Sequence, residues 1–153
     1  MAAINTVFNA FLKSGDHCVI TDCSYGGTNR CARVLFSTFG IEFSFVDFRD
    51  PAIVEAAMRP NTKMIFSETP ANPTVTLTDV AAISAIAKKH GCIHACDTTF
   101  ATPLILRPLD HGADLTIQST TKYYDGHNIT VGGLVVAKTK ELHEKVAFMR
   151  NVT

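Results

Sequence analysis

The chain has 153 residues, 46% hydrophobic and 18% charged, enough for one domain with a real core and typical of a soluble globular protein. Lys plus Arg and Asp plus Glu are each 14, so the net charge is zero and bulk charge recruits neither nucleic acid nor an anionic membrane. No apolar run approaches the roughly 20 residues of a membrane span, and Met1-Ala2-Ala3-Ile4-Asn5 lacks the basic n-region and cleavage site of a signal peptide.

Ile4, Val7, Phe8, Phe11 and Leu12 recur at helical spacing, which predicts a helix over residues 1–13, ended by the turn Ser14-Gly15-Asp16. His17 to Thr21 reads as a short strand. Tyr25-Gly26-Gly27-Thr28 reads as a loop before a helix to about residue 38, which Gly40 stops. Residues 41–46 alternate apolar and polar as a strand does. Asp50-Pro51 opens a short helix with proline in its first turn. Residues 63–67 form a strand, and the two prolines of Glu68-Thr69-Pro70-Ala71-Asn72-Pro73 prevent any regular element from continuing. Thr78 and Asp79 can cap a helix to about His90, with Gly91 as its stop. Residues 92–96 form a strand with Asp97 at its end. Residues 113–118 and 133–137 are two more strands, and a last helix begins near Thr139.

Strands alternating with helices specify an α/β fold, a mainly parallel sheet with helices on both faces. In such sheets ligands sit beyond the carboxyl ends of the strands. Tyr25, Glu68 with Asn72, Asp97, and Ser119 to Lys122 all follow strands, so four loops are expected to converge on one edge. There is no internal repeat, low-complexity stretch or linker.

Five cysteines, Cys18, Cys23, Cys31, Cys92 and Cys96, are an odd number and sit mostly in strand-like runs. Buried free thiols in a reducing cytosol fit better than a disulfide framework. On a strand Cys92, His94 and Cys96 share a face, which raises zinc; without a second ligand pair, a core strand is the better reading. Asn128-Ile129-Thr130 and Asn151-Val152-Thr153 match the glycosylation sequon by chance, given no secretory signal.

Two readings fit Lys122. It is an exposed lysine after an edge strand, or an amine placed to form a Schiff base with an aldehyde, with the hydroxyls of Ser119, Thr120 and Thr121 free to hold an attached anion. A lone Asp97 is most simply a helix cap or a salt-bridge partner. Together with Lys122 on a neighbouring strand end it fits a pyridoxal phosphate site, where a carboxylate keeps the pyridine nitrogen protonated. Neither GxGxxG nor GxxxxGK[ST] is present, which removes support for the common nucleotide sites.

The chain resembles the trans-sulfuration, or Cys/Met metabolism, family of pyridoxal phosphate enzymes. The stretches that carry the resemblance are Met1-Ala2-Ala3-Ile4, Ser14-Gly15-Asp16-His17, Tyr25-Gly26-Gly27-Thr28-Asn29-Arg30, Glu68 to Pro73, Asp97 to Pro103, Arg107-Pro108-Leu109, Gly112-Ala113-Asp114, and Ser119 to Tyr123 with Gly126-His127. They run in family order over essentially the whole chain.

The resemblance implies an aminotransferase type I-like large domain, with residues 1–153 as the central part of the cofactor-binding domain and the N-terminal arm and C-terminal domain absent. It implies that Lys122 holds the cofactor and shuttles protons, that Asp97 pairs with the ring nitrogen, and that Tyr25 stacks on the ring and serves as an acid/base group. Ser119, Thr121 and the first helix's backbone N–H groups at Met1 would take the phosphate, and Asn72 the ring's 3′ oxygen. Arg30 lies where γ-lyases contact substrate; a solvated helix-face charge is its alternative reading. No metal is implied. The implied partners are a sulfur amino acid and further copies of the chain in a cytoplasmic homotetramer with sites at subunit boundaries.

Gly27 stands where methionine γ-lyases typically have Cys, which tilts the resemblance toward cystathionine γ-lyase. Ile129 occupies the acidic position of the family's Gly-His-x-Asp. The chain is also much shorter than the family's members. Three functions stay open at this point: a γ-lyase on cystathionine or a relative, a γ-synthase or O-acyl-homoserine sulfhydrylase, and a catalytically silent fragment.

Overall fold

The computed structural model describes residues 1–152. Its elements are α1 (Ala2–Phe11), β1 (His17–Thr21), α2 (Gly26–Arg30), β2 (Glu42–Val46), α3 (Pro51–Ala56), β3 (Thr62–Glu68), α4 (Val80–His90), β4 (Ile93–Asp97), α5 (Thr102–Ile105), β5 (Leu115–Ser119), β6 (Gly133–Ala137) and α6 (Lys140–Val152). The six strands form one sheet in the order β2-β1-β3-β4-β5-β6. All neighbours are parallel except β5 and β6, which are antiparallel. The second glycosylation sequon ends on Thr153, outside the described residues.

Local chemistry sets the helix ends. Asp50 accepts a hydrogen bond from Ala52 N at 2.9 Å, with Pro51 next, so α3 starts where the sequence predicts. Asp79 accepts from Ala82 N at 3.0 Å and caps α4. Thr78 is not the cap; its N–H goes to Thr69 Oγ1 at 3.1 Å and ties the proline segment to the helix start. Gly91 at φ 64° and Gly40 at φ 76° terminate their helices in the left-handed region.

The stretch after Tyr25 differs from expectation. The helix starts at Gly26 with Tyr25 as its N-cap, passes through a π-helical turn at Cys31–Leu35 and ends in a 3-10 turn at Phe36–Phe39. Glycine has weak helix propensity, but the first turn makes few intrahelical bonds and tolerates it. Two short helices, α5 and a 3-10 turn at Pro108–His111, and a π-helical turn at Thr120–Tyr124 also went unpredicted, because none is long enough to show a period.

Alternation along the central strands builds two cores. Cys18 and Ile20 of β1, Met64 and Phe66 of β3, and Ala95 of β4 face α1, where Phe8 is fully buried. The Phe8 ring lies 5.2 Å from Phe36, 5.8 Å from Phe43 and 5.4 Å from Phe66, centroid to centroid. Val19 and Ile65 point the other way, onto Val54 of α3 and Ile83, Ile86 and Ala87 of α4. The sheet is thus covered on both faces, as the alternation of strands and helices predicts.

His94 belongs to the second face and is fully buried. Its Nε2 bonds with Ser67 Oγ and its Nδ1 with Ser84 Oγ, both at 2.8 Å. Both ring nitrogens are therefore engaged, and the strand reading of Cys92-Ile93-His94-Ala95-Cys96 holds over the zinc reading. All five cysteines are free thiols. Among the described residues no helix is long and apolar enough to cross a membrane.

Candidate active site

The carboxyl ends of β1, β3, β4 and β5 open onto a cavity of about 440 Å³, within the ordinary range for a small-molecule site. Each strand delivers a short segment to it: Tyr25 after β1, Glu68 and Asn72 at the end of β3, Asp97 and Thr99 at the end of β4, Ser119, Thr121 and Lys122 at the end of β5. Met1 to Ile4 close the wall opposite. Seven of the residues singled out in the sequence, Met1, Tyr25, Asn72, Asp97, Ser119, Thr121 and Lys122, therefore share one cavity. Arg30 does not line it; it ends α2 with its side chain exposed.

Met1 to Ile4, the first turn of the ten-residue helix α1, line the cavity, and the first-turn backbone N–H groups of a helix are suited to an anion. Ser119 lies across from them. Thr121 lines the same wall, but its hydroxyl is engaged: Oγ1 accepts from Gly132 N at 3.0 Å and donates to Gly132 O at 3.3 Å.

Asp97 is 6% exposed. Its Oδ1 accepts from Thr99 N at 2.9 Å and from Thr99 Oγ1 at 2.7 Å. Burial pushes its carboxyl above the ordinary range, opposed by those two bonds. Thr99 Oγ1 in turn accepts from Ser119 N at 2.9 Å, so one side chain fixes Asp97 relative to the anion wall. Asp97 thus makes an Asx-type turn, as a lone Asp at a strand end does; among the described residues it has no close ion pair, and the Met1 ammonium acts on it only as a further, smaller influence that lowers its pKa.

Tyr25 leans back over the start of α2. A Cβ on Gly27 would collide with the Tyr25 ring and lie 2.7 Å from Met1 Sδ. Glycine there allows the ring and Met1 to meet against the helix.

Lys122 interrupts the π-helical turn after β5, at φ −93° and ψ −116°. Its side chain is exposed on the cavity wall and makes no ion pair among the described residues. The following loop is held by Asp125, which accepts from Ile129 N at 2.8 Å, Thr130 Oγ1 at 3.0 Å and His127 N at 3.3 Å. These bonds, the Ile129 one foremost, hold its carboxyl below the ordinary range. Asp125 thereby organises a loop whose acidic position in the family's motif is taken here by Ile129.

One contributor, Thr99, has no assigned role in the sequence, and Glu68 is placed at the site's edge without a role. Thr99 gave only the signal of a hydroxyl two positions after a strand-end Asp. Glu68 was visible as a charged residue ending an apolar strand, with no indication of its partners.

These groups fit pyridoxal phosphate: the first turn of α1 and Ser119 for the phosphate, a buried carboxylate for the ring nitrogen, a ring beside them for stacking, and an exposed amine on the wall. Comparison with known proteins agrees. The family model described as Cys/Met metabolism PLP-dependent enzyme matches residues 1–153. The chain belongs to that family.

Over 153 residues it is 48% identical to a cystathionine γ-lyase from Bacillus subtilis (strain 168), covering 100% of this chain and 40% of that protein. Over 147 residues it is 43% identical to a probable cystathionine γ-synthase from Herpetosiphon aurantiacus, covering 96% of this chain and 46% of that one. The crystal structure of cystathionine γ-lyase from Lactobacillus plantarum complexed with L-serine matches with a TM-score of 0.97 at 45% identity, over 99% of this chain and 39% of the other. The chain therefore spans less than half the length of these relatives. The expected α/β large-domain fold holds throughout that span.

Proposed function

We propose that this chain is the central part of the cofactor-binding domain of a pyridoxal phosphate-dependent carbon–sulfur lyase, acting by γ-elimination on cystathionine or a related sulfur amino acid. The observation that carries this reading is one cavity holding Lys122, Asp97, Tyr25 and the first turn of α1. The 48% identity to a cystathionine γ-lyase supports the lyase, and Gly27 after Tyr25-Gly26 supports a cystathionine rather than a methionine γ-lyase.

Bound pyridoxal phosphate supplies an electron-accepting ring that makes the substrate's Cα proton acidic. The chain's own residues do the rest. The N–H groups of α1, with Ser119 and Thr121, would hold the phosphate, Thr121 exchanging a Gly132 contact for it. Asp97 would keep a proton on the ring nitrogen, Asn72 would bond the 3′ oxygen, and the Tyr25 ring would cover the face. Lys122 Nζ, on the cavity wall, would hold the cofactor and, as the free amine, would carry the Cα proton to another carbon. Tyr25 Oη serves the departing sulfur as an acid.

The homotetramer rests on the family resemblance, and five free thiols support a cytoplasmic setting.

Lys122→Ala tests the site: the visible band of covalently attached cofactor should vanish, and unchanged absorbance with unchanged turnover would refute the assignment. Product analysis tests the reaction. Cysteine, 2-oxobutanoate and ammonia from cystathionine mark the lyase; cystathionine or homocysteine from acylated homoserine marks the γ-synthase or sulfhydrylase instead. No attachment of cofactor to the unaltered chain marks a silent fragment.

A further inference from the structure

Glu68 ends β3 and is 6% exposed. Its parallel partner in register is Asp97, so two buried carboxylates stand side by side at the cavity wall. A buried carboxylate needs a cation or a full set of donors, and among the described residues no ion pair involves Glu68. Each of its oxygens instead takes one backbone N–H. Oε2 accepts from Tyr25 N at 2.7 Å, and Oε1 accepts from Asn72 N at 3.0 Å.

We infer that Glu68 is a positioning residue that locks Tyr25 and Asn72 in register across the cavity, so that ring stacking and contact with the 3′ oxygen are set together. Its importance to the cofactor rests on the function proposed above; the lock itself does not. Tyr25 is the N-cap of a five-residue helix with no side-chain cap, so its N–H has no partner within the helix. Asn72 lies between Pro70 and Pro73, where no strand can offer its N–H a carbonyl in a ladder. Two loops that secondary structure leaves free are thus joined through one side chain.

The chemistry selects a carboxylate. Both oxygens must accept, so the lock is complete only in the ionised carboxylate; burial raises Glu68 to about 7, and the exchange and titration are therefore read well above neutral pH. A glutamine of the same shape offers one acceptor and turns an N–H₂ toward the other backbone N–H. A residue that merely fills space at the end of β3 would tolerate that exchange.

The test is Glu68→Gln in the full chain, with two readouts. Hydrogen exchange at the Tyr25 and Asn72 amides in the cofactor-free protein should quicken about tenfold for at least one of the pair. Cofactor titration followed by absorbance should show about tenfold weaker binding. In a Tyr25→Ala/Asn72→Ala background the same substitution should change affinity less than about twofold, because the residues it acts through are gone. Wild-type exchange rates at both amides, or an equal loss of affinity in both backgrounds, would overturn the inference. Glu68→Asp is the second variant: it keeps two acceptors but is one methylene short, and it should speed exchange at the same amides even if the glutamine variant does not fold. If the unaltered chain takes up no cofactor, the functional reading fails, and the exchange measurement still decides whether the lock exists.

Discussion

Asp97→Asn separates the two roles of the carboxylate with opposite signs. Both contacts from Thr99 go to a single oxygen, Oδ1, at 2.9 and 2.7 Å. An asparagine carbonyl in that place keeps both, so the substitution removes charge and little else. In the cofactor-free protein the charge is a burden. Burial raises the Asp97 pKa in the folded state, so its stabilising contribution is complete below the ordinary carboxylate range and is lost as pH rises through the folded value. At neutral pH the melting temperature of the variant should therefore match or exceed the parent's. Cofactor binding should move the other way. Losing a charge-assisted hydrogen bond to a cationic ring nitrogen removes about 1.5–3 kcal/mol, a weakening of roughly 10–150-fold. Calorimetry on the cofactor-free protein and an absorbance titration read the two effects separately. Affinity within about twofold of the parent would show that Asp97 does not meet the ring. A melting temperature several degrees lower would show instead that the carboxylate is a structural turn.

Gly27→Ala should displace the Tyr25 ring or Met1, since the added Cβ collides with the first and lies 2.7 Å from Sδ of the second; cofactor affinity should fall about tenfold with little change in melting temperature, and unchanged affinity would refute the crowding. Ser84→Ala leaves His94 Nδ1 buried without its partner at 2.8 Å and should cost about 1–3 kcal/mol in urea denaturation. The pH dependence has opposing parts. Burial lowers His94 to about 3, so its contribution is full above about pH 6.5 and falls away as pH drops toward 3. Burial raises Glu68 from 4.5 to about 7, so its contribution is full below about pH 4.5 and is lost as pH rises through 7. Glu68→Gln should therefore steepen the loss of stability from pH 6.5 to 4.5 by up to about 1.4 kcal/mol per pH unit; an unchanged slope refutes the sign. Phe8→Ala empties the centre of a four-ring cluster and should cost about 3–5 kcal/mol.

The sequence by itself determined the α/β class, most element positions and, through the family resemblance, the cofactor class. Strand and helix periods are local, as are Asp50-Pro51, Asp79 and Gly91, so these could be read without neighbours. The residue types at four strand ends, Tyr25, Asn72, Asp97 and Lys122, were legible for the same reason. Partnership was not, because it joins residues far apart in the chain. Only the tertiary structure decided that Glu68 serves Tyr25, 43 positions away, and that Thr99 links Asp97 to Ser119, 20 positions on. It also decided that Thr121 is tied to Gly132 and that Arg30 stays outside the cavity. A buried polar group must be satisfied wherever the fold brings a donor, and which donor arrives depends on strand register, which sequence spacing does not encode.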